Sequence, residues 1–300
     1  MRLEKPISGQ PEHAPGGIRT SSSSERNPGI PHPTDPGAAV LRERLRAFWN
    51  SQQCYWDITS SGHFVESPAR KRAADFLPAG ESILDVACGT AANSAWLKDR
   101  CRYFGVDLSV MALRQPIHPF LRLACGDAEH LPFPDGVFDG VIATYVLEHA
   151  VEPVETLREM CRVAKSGGRI VLLGPAWDFP FWYPNSLRSR SGDHWWHVGY
   201  TAGRFYRQLM GWWFGRLPFE RINEPDAFHS DFIYDADAVY IVWTYEVIRL
   251  MKRWGHKLVH SEVDDPLLGT NPAVRGLKRV LSCLPTYRHA GSAVLLVFEK

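Results

Sequence analysis

The sequence predicts an α/β fold in which a mostly parallel β-sheet is doubly wound, with helices packed on both of its faces. Short apolar runs alternate with segments of helical periodicity between residues 81 and 176. Strands that alternate with helices form parallel sheets, because right-handed crossover helices return each strand in the same direction. The predicted strands are Ser82–Val86, Tyr103–Asp107, Leu121–Cys125, Phe138–Ala143 and Arg169–Leu173.

The helical periodicity begins before the first strand and returns after the fifth. Apolar residues at intervals of three and four predict a helix from about Ala38 to Trp49. Further helices are predicted over Ala69–Phe76, Asn93–Arg100, Val154–Val163, Thr201–Met210 and Asp237–Arg253. The apolar run Ser292–Glu299 predicts a last strand, and Phe219–Asn223 is its expected antiparallel neighbour at the sheet edge.

The composition limits the classes of function. The chain has 300 residues, of which 45% are hydrophobic and 22% charged, and its formal net charge is +1. This suits one large globular domain with an elaboration, and the near-neutral charge gives no reason to expect nucleic acid as the main partner. Six irregularly spaced cysteines, without a secretory signal or an apolar run of bilayer length, favour reduced thiols in a cytoplasmic protein and no metal site.

The segment Ile83–Asn93, which reads ILDVACGTAAN, places a turn of small residues directly after the first strand. In open parallel sheets, ligands bind beyond the carboxyl ends of the strands, where the strand order reverses. Small side chains allow the backbone to approach a ligand, and a following helix directs free N–H groups toward it. The turn predicts a ligand site, with a tight strand–helix turn that binds nothing as the alternative.

Two acidic residues stand at the ends of the next two predicted strands. Asp107 ends the second strand, roughly 20 residues after the turn, where a carboxylate can accept both hydrogen bonds of a ribose diol. Asp127 follows the third strand, where a carboxylate can accept from an adenine amino group. The alternatives are a helix cap for Asp107 and a turn residue for Asp127.

Together these motifs resemble the class I S-adenosylmethionine-dependent methyltransferases, and within them the small-molecule type 11 group that includes quinone-biosynthesis enzymes. The likeness runs from about Ser82 to Leu173 and includes ILDVACGT, GDAEHLPFPDGVFDGVIATYVLEHA and REMCRVAKSGGRIVL. It implies a Rossmann-like seven-stranded sheet with an aromatic-rich helical insertion before the last strands. It also implies S-adenosyl-L-methionine as cofactor, bound by Asp85, Ala87, Gly89, Asp107, Leu108, Asp127, Ala128 and Tyr145.

The resemblance assigns these residues to different parts of the cofactor. Ala87 and Gly89 are expected beside the methionine moiety, and Tyr145 at the sulfonium. The ribose is expected at Asp107. The adenine ring is expected against Leu108, with its edge at Asp127 and Ala128.

One residue of the loop departs from the family pattern. Ala91 stands where the family's loop has its third glycine, and its Cβ suits a negative φ but strains a positive one. This puts the tightness of cofactor binding in question. The loop also lacks GxGxxG, which argues against a dinucleotide.

The sequence and the resemblance together predict an organisation in four parts. Residues 1–37 lack periodicity and are expected to form a disordered tail, with a docking or targeting segment as the alternative. Residues 38–80 are expected to form N-terminal helices that cover the cofactor site. Residues 81–176 are expected to form the S-adenosylmethionine-binding core. Residues 177–300 are expected to hold a substrate-side elaboration and the final sheet strands.

A general base is needed only when the methyl acceptor must lose a proton. His149 follows the fourth strand, and His194 and His197 lie within GDHWWH. These histidines are the candidate bases, with ordinary packing as the alternative for all three and metal binding as a further alternative for the pair.

The region from Trp177 to Trp254 holds eight of the eleven tryptophans. They predict a pocket for a small hydrophobic or aromatic acceptor, unless they only build the core of the insertion. The segment Trp212–Phe214, with Arg204, Arg207 and Arg216 nearby, is a candidate for weak contact with a membrane surface. The predicted function is methyl transfer, and the alternative is a catalytically weak methyltransferase-like binding subunit of a complex. The oligomeric state is not indicated.

Overall fold

A computed structural model describes residues 36–182, 184, 187, 194–222, 237–264, 272–289 and 291–300. The predicted disordered tail, residues 1–37, lies outside the described residues except for its last two, which begin the first helix. Ten α-helices lie within the described ranges. They are α1 Pro36–Trp49, α2 Gln53–Thr59, α3 Gly62–Val65, α4 Pro68–Asp75, α5 Ser94–Leu97, α6 Val110–Leu113, α7 Pro153–Val163, α8 His194–Trp213, α9 Thr244–Arg253 and α10 Pro272–Leu281.

A seven-stranded sheet with the order β3-β2-β1-β4-β5-β9-β8 forms the centre of the fold. Its strands are β1 Ser82–Val86, β2 Arg102–Asp107, β3 Arg122–Cys125, β4 Phe138–Thr144, β5 Ala164–Pro175, β8 Lys257–Asp264 and β9 Ala293–Glu299. The first five strands are parallel, and β9 runs antiparallel to both β5 and β8. The predicted mostly parallel seven-stranded sheet is therefore confirmed.

Successive side chains of the strands enter two separate apolar cores, one on each face of the sheet. In β5, Ile170 and Leu172 join one core, whereas Val171 and Leu173 join the other. Helices α1, α7 and α9 contribute to the first core, and α4 and α5 contribute to the second. Burial on both faces explains why these strands read as continuous apolar runs in the sequence.

The sheet edge differs from the sequence prediction. Phe219–Asn223 was expected beside the last strand, but the two residues of β6, Glu220–Arg221, pair with β7, Tyr240–Ile241, in a separate small sheet. The neighbour of β9 is β8, whose burial alternates along its length. The sequence did not predict this strand because its composition, KLVHSEVD, is polar. Its side chains alternate between exposed and partly buried positions, so only one face of the strand is partly buried.

Two predicted helices begin or end at other residues than expected. The helix predicted over Asn93–Arg100 is only the four residues of α5. The helix predicted over Asp237–Arg253 begins at Thr244, where the Asp178 carboxylate accepts from both the backbone N–H, at 2.9 Å, and the Thr244 hydroxyl, at 2.6 Å. This contact between distant parts of the chain sets a helix start that local sequence does not show.

Candidate active site

A cleft opens at the carboxyl ends of β1 to β4, where the strand order reverses between β1 and β4. Ligands bind at such reversal points in open α/β sheets. Seven of the eight residues expected to contact the cofactor line this cleft: Ala87, Gly89, Asp107, Leu108, Asp127, Ala128 and Tyr145. The eighth, Asp85, lies beneath it and does not line it.

Asp107 joins the loops that follow β1 and β2. Its two carboxylate oxygens accept hydrogen bonds from the backbone N–H groups of Gly89 and Ser109, each at 2.7 Å. The residue is 7% exposed, and burial raises the pKa of its carboxyl group to about 6 although both hydrogen bonds oppose the shift. The carboxylate therefore holds the loop after β1 in place while it forms part of the cleft wall.

Asp85 organises the layer below the loop. It is fully buried, and it accepts hydrogen bonds from the Tyr103 hydroxyl at 2.6 Å and from Asn93 Nδ2 at 2.9 Å. Asn93 Oδ1 in turn accepts from Arg70 Nη1 at 2.9 Å, and the same arginine lines the cleft. Burial raises the pKa of Asp85 to about 6. Asp85 supports the cleft through Asn93 and Arg70 rather than facing it.

Backbone strain is concentrated in the loops around the cleft. Among the described residues, four non-glycine residues have positive φ, and three of them follow β1 or β4: Ala87 at 51°, Ala91 at 61° and Tyr145 at 59°. The left-handed conformation costs roughly 1–2 kcal/mol for such a residue, and strain of this kind clusters at functional sites. Ala91 adopts the strained conformation considered from the sequence, but its side chain packs in the core and does not line the cleft.

Helices α1 to α3 contribute an aromatic wall to the cleft, formed by Trp49, Tyr55, Trp56 and Phe64. The Trp49 carbonyl anchors this wall, because it accepts from Trp56 Nε1 at 2.7 Å and from the Ser109 hydroxyl at 3.0 Å. The region of residues 177–254 was expected to supply the aromatic pocket. Of its described residues only Asp237 lines the cleft, while Trp177 and Trp243 are buried in the core.

Arg42 of α1 binds the loop after β3. Its guanidinium lies 3.2 Å from an Asp127 carboxylate oxygen and 3.3 Å from Glu152, and it also pairs closely with Glu129. Glu129 and Glu152 are nearly buried, and burial raises the pKa of each. Arg42 therefore supplies one positive charge to a group of three carboxylates at the rim of the cleft. Sequence motifs gave no signal for this residue, because its partners are far along the chain.

His149 is the candidate base that the structure brings into the cleft wall. Its Nδ1 lies 3.4 Å from the Asp237 carboxylate, and its Nε2 lies 3.9 Å from that of Glu148. Trp49 Nε1 donates to the same Asp237 carboxylate at 3.1 Å. The imidazole therefore lies between two buried carboxylates, which orient its ring nitrogens in the cleft wall.

The two other candidate bases lie on helix α8. His197 does not line the cleft, and His194 is the first residue of the helix, with its side chain outside the described residues. Asp193, the acidic residue beside His194 in GDHWWH, also lies outside the described range. Within that range no group of three or more His, Cys, Asp or Glu side chains is arranged to hold a metal ion.

A family model and the curated relatives agree on the family of the core. Residues 84–172 match the family model of a methyltransferase domain of type 11, which confirms the resemblance drawn from the sequence motifs. A demethylmenaquinone methyltransferase of Corynebacterium urealyticum is 36% identical over 103 residues, covering 34% of this chain and 44% of that protein. A phosphatidylethanolamine N-methyltransferase of Cereibacter sphaeroides is 32% identical over 122 residues, covering 38% and 60%.

Solved structures support the fold. A crystal structure of an S-adenosylmethionine-dependent methyltransferase from Mesorhizobium loti superposes with a TM-score of 0.51 at 14% identity, covering 79% of this chain and 100% of that one. The chain spans about half the length of the curated relatives it matches, in the range of 44% to 60% for the first three. The parts of this chain outside the matched core have no counterpart in those alignments.

Proposed function

We propose that this chain, whose residues 84–172 form a methyltransferase domain of the type 11 group, is an S-adenosylmethionine-dependent methyltransferase that acts on a small hydrophobic or aromatic acceptor. The observation that carries the proposal is the cleft at the strand reversal, where Asp107 stands between the loops after β1 and β2. Seven residues that the family pattern assigns to the cofactor line this one cleft, although they come from separate segments of the chain.

The residues of the cleft fit the cofactor from one end to the other. The Asp107 carboxylate suits a ribose diol, because it retains acceptor capacity beyond its two backbone hydrogen bonds. Leu108 and Ala128 supply apolar surface for an adenine ring. Gly89 leaves room that a side chain would occupy, since a Cβ there would lie 3.1 Å from the Trp56 ring.

S-adenosylmethionine, when bound, supplies an electrophilic methyl group on a positively charged sulfur. The protein's task is then to align the acceptor, to exclude water and to remove a proton where the acceptor carries one. The Trp49, Trp56 and Phe64 side chains form a wall that excludes water. His149 is positioned to take the proton at its imidazole, and Asp237 and Glu148 stabilise the resulting cation.

The aromatic wall favours an apolar acceptor. Flat or hydrophobic ligands bind clefts lined by aromatic rings, with a few polar groups that fix their orientation. The names of the relatives point the same way, since one acts on demethylmenaquinone and another on phosphatidylethanolamine. Incubation with a set of apolar metabolites, followed by mass spectrometry to detect products that carry one added methyl group, would identify the acceptor class. Activity on small charged metabolites alone would refute this part of the proposal.

Calorimetric titration with S-adenosylmethionine tests the cofactor assignment. The parent protein is expected to bind, and Asp107→Asn to bind about 10- to 100-fold more weakly, because a charge-assisted hydrogen bond is lost. Asp135→Asn is the matched control, since Asp135 is a surface carboxylate outside the cleft, and it should leave the affinity unchanged. Absence of binding heat for the parent protein would contradict the proposal and favour the binding-subunit alternative.

A second prediction concerns the glycine under Trp56. Gly89→Ala is expected to lower the affinity for S-adenosylmethionine about tenfold, because the added methyl displaces the Trp56 ring that closes the cleft. Gly136→Ala is the matched control, as Gly136 has a similar positive φ of 63° but no crowding. Both variants should lose about 1 kcal/mol of unfolding free energy from backbone strain. Equal affinities for the two variants would show that the Trp56 contact has no part in binding.

A further inference from the structure

Helix α8 presents an apolar surface to solvent along its whole length. Most of its exposed apolar residues recur at intervals of three, four and seven, so they lie on one face of the helix, and Trp196, 37% exposed, lies outside this face. We refer to them as the α8 stripe: Trp195, Val198, Phe205, Tyr206, Leu209, Trp212 and Trp213, with Phe214 directly after the helix. Trp195 and Trp213, near its two ends, are 76% and 74% exposed. A helix of this length extends about 30 Å.

The opposite face of α8 is buried and polar. The Arg204 guanidinium, fully buried, donates to the backbone carbonyls of Trp177 at 2.7 Å and Trp182 at 2.8 Å. Gln208, also fully buried, donates to the Asp178 carbonyl and accepts from the Tyr287 hydroxyl. These bonds fix the rotation of the helix about its axis. An ordinary surface helix buries its apolar face and exposes its polar face, whereas α8 does the reverse. Because its rotation is fixed, the α8 stripe cannot turn inward.

The surroundings of the stripe are basic. No aspartate or glutamate occurs in residues 194–219 or 272–289, but Glu220, directly after the first segment, pairs with Arg207 at 2.9 Å. Tyr287, in the 3-10 turn Pro285–Tyr287 that follows α10, stacks on Phe205 of α8 at a centroid distance of 6.4 Å and on Phe179 at 6.0 Å. The exposed face of α10 carries Leu277 and Val280. The exposed cations of the two segments are Arg207, Arg216, Arg275, Arg279 and Arg288.

We propose that the α8 stripe docks in the plane of an anionic lipid bilayer. Tryptophan and tyrosine side chains suit the boundary between headgroups and acyl chains, and arginines around an apolar face are attracted to anionic headgroups. A second copy of this chain fits less well, because symmetrical pairing of the stripe would bring the arginines of both copies together. Within the described residues no helix is long and apolar enough to cross a membrane, so the contact is peripheral.

Vesicle flotation with the full chain tests this proposal. The parent protein is expected to float with vesicles of phosphatidylcholine and phosphatidylglycerol, less with phosphatidylcholine alone, and less at high salt. The double variant Trp195→Glu, Trp213→Glu should partition on the order of tenfold more weakly. Phe120→Glu is the control, since Phe120 is also an exposed aromatic residue but lies before β3, an edge strand of the sheet, and outside the α8 stripe. It should float like the parent.

Tryptophan emission and sedimentation velocity provide the remaining measurements. Anionic vesicles should shift the emission of the parent to shorter wavelength, and the double variant should show a smaller shift. Unchanged circular dichroism and thermal midpoint of the double variant would show that it is folded. The proposal is overturned if the parent does not bind vesicles, if the double variant binds as well as the parent, or if the parent is a dimer that the double variant converts to a monomer.

Discussion

Substitution of His149 by alanine is expected to lower kcat about 10²- to 10⁴-fold for an acceptor that must lose a proton. His149 lies in the cleft wall, with the Asp237 and Glu148 carboxylates beside its two ring nitrogens. A proton taken by the imidazole is stabilised there by two negative charges. The affinity for S-adenosylmethionine should change little, because none of the expected cofactor contacts involves this side chain. Steady-state kinetics and calorimetry on the same protein separate the two effects.

Three further variants sharpen this prediction. Asp237→Asn keeps the shape of the partner but removes its charge, so kcat should fall while the protein remains folded. His260→Ala, on the distant strand β8, is the control and should leave kcat unchanged. His197→Ala examines the alternative base considered from the sequence, and its place outside the cleft predicts no loss. If His149 is the base, the rise of kcat with increasing pH should disappear in His149→Ala. A mutant profile of unchanged shape would limit His149 to a structural role.

The central strands and the cofactor residues could be predicted because their signals are local. A strand buried on both faces reads as a continuous apolar run, and the residues that follow such strands meet at one edge of the sheet. Asp107 and Asp127 were therefore located from the sequence alone. The two-faced core confirms the strand pattern, with Ile170 and Val171 on opposite sides.

The cover of the cleft could not be predicted, because it is built by long-range contacts. Trp56 is one of several tryptophans in the sequence, and nothing local indicates that its ring lies over Gly89. Density of tryptophan after Trp177 suggested the acceptor pocket, but a cluster in sequence does not tell whether rings face a cavity, a core or solvent. The outward stripe on α8 arises because Arg204 and Gln208 are held inside by backbone carbonyls. Hydrophobic periodicity alone would have predicted that the α8 stripe is buried and that Arg204 and Gln208 face solvent.

Arg42→Met is expected to lower the free energy of unfolding by about 3 kcal/mol near pH 8, because removing one member of a mostly buried ion cluster leaves uncompensated charge. The Asp127, Glu129 and Glu152 carboxylates would then face each other without a cation. Arg46→Met is the matched control on the same helix. Arg46 is half-exposed, and its ion pair among the described residues is with Glu43, at 3.8 Å, so its loss should cost less than about 0.5 kcal/mol. Chemical denaturation of the parent and of both variants measures these differences in the free energy of unfolding.

The pH dependence of Arg42→Met identifies the cause of its instability. Burial raises the pKa of Glu129 and of Glu152 in the folded protein, and repulsion adds to each shift, by Asp127 at Glu129 and by Glu129 at Glu152. An acid with a raised folded pKa binds its proton more tightly in the folded state, so its protonation favours folding. The deficit of Arg42→Met should therefore shrink as the pH falls from 8 to 5. Glu129→Gln in the same chain should restore part of the stability at pH 8, and a deficit that is equal at both pH values would exclude charge repulsion as its origin.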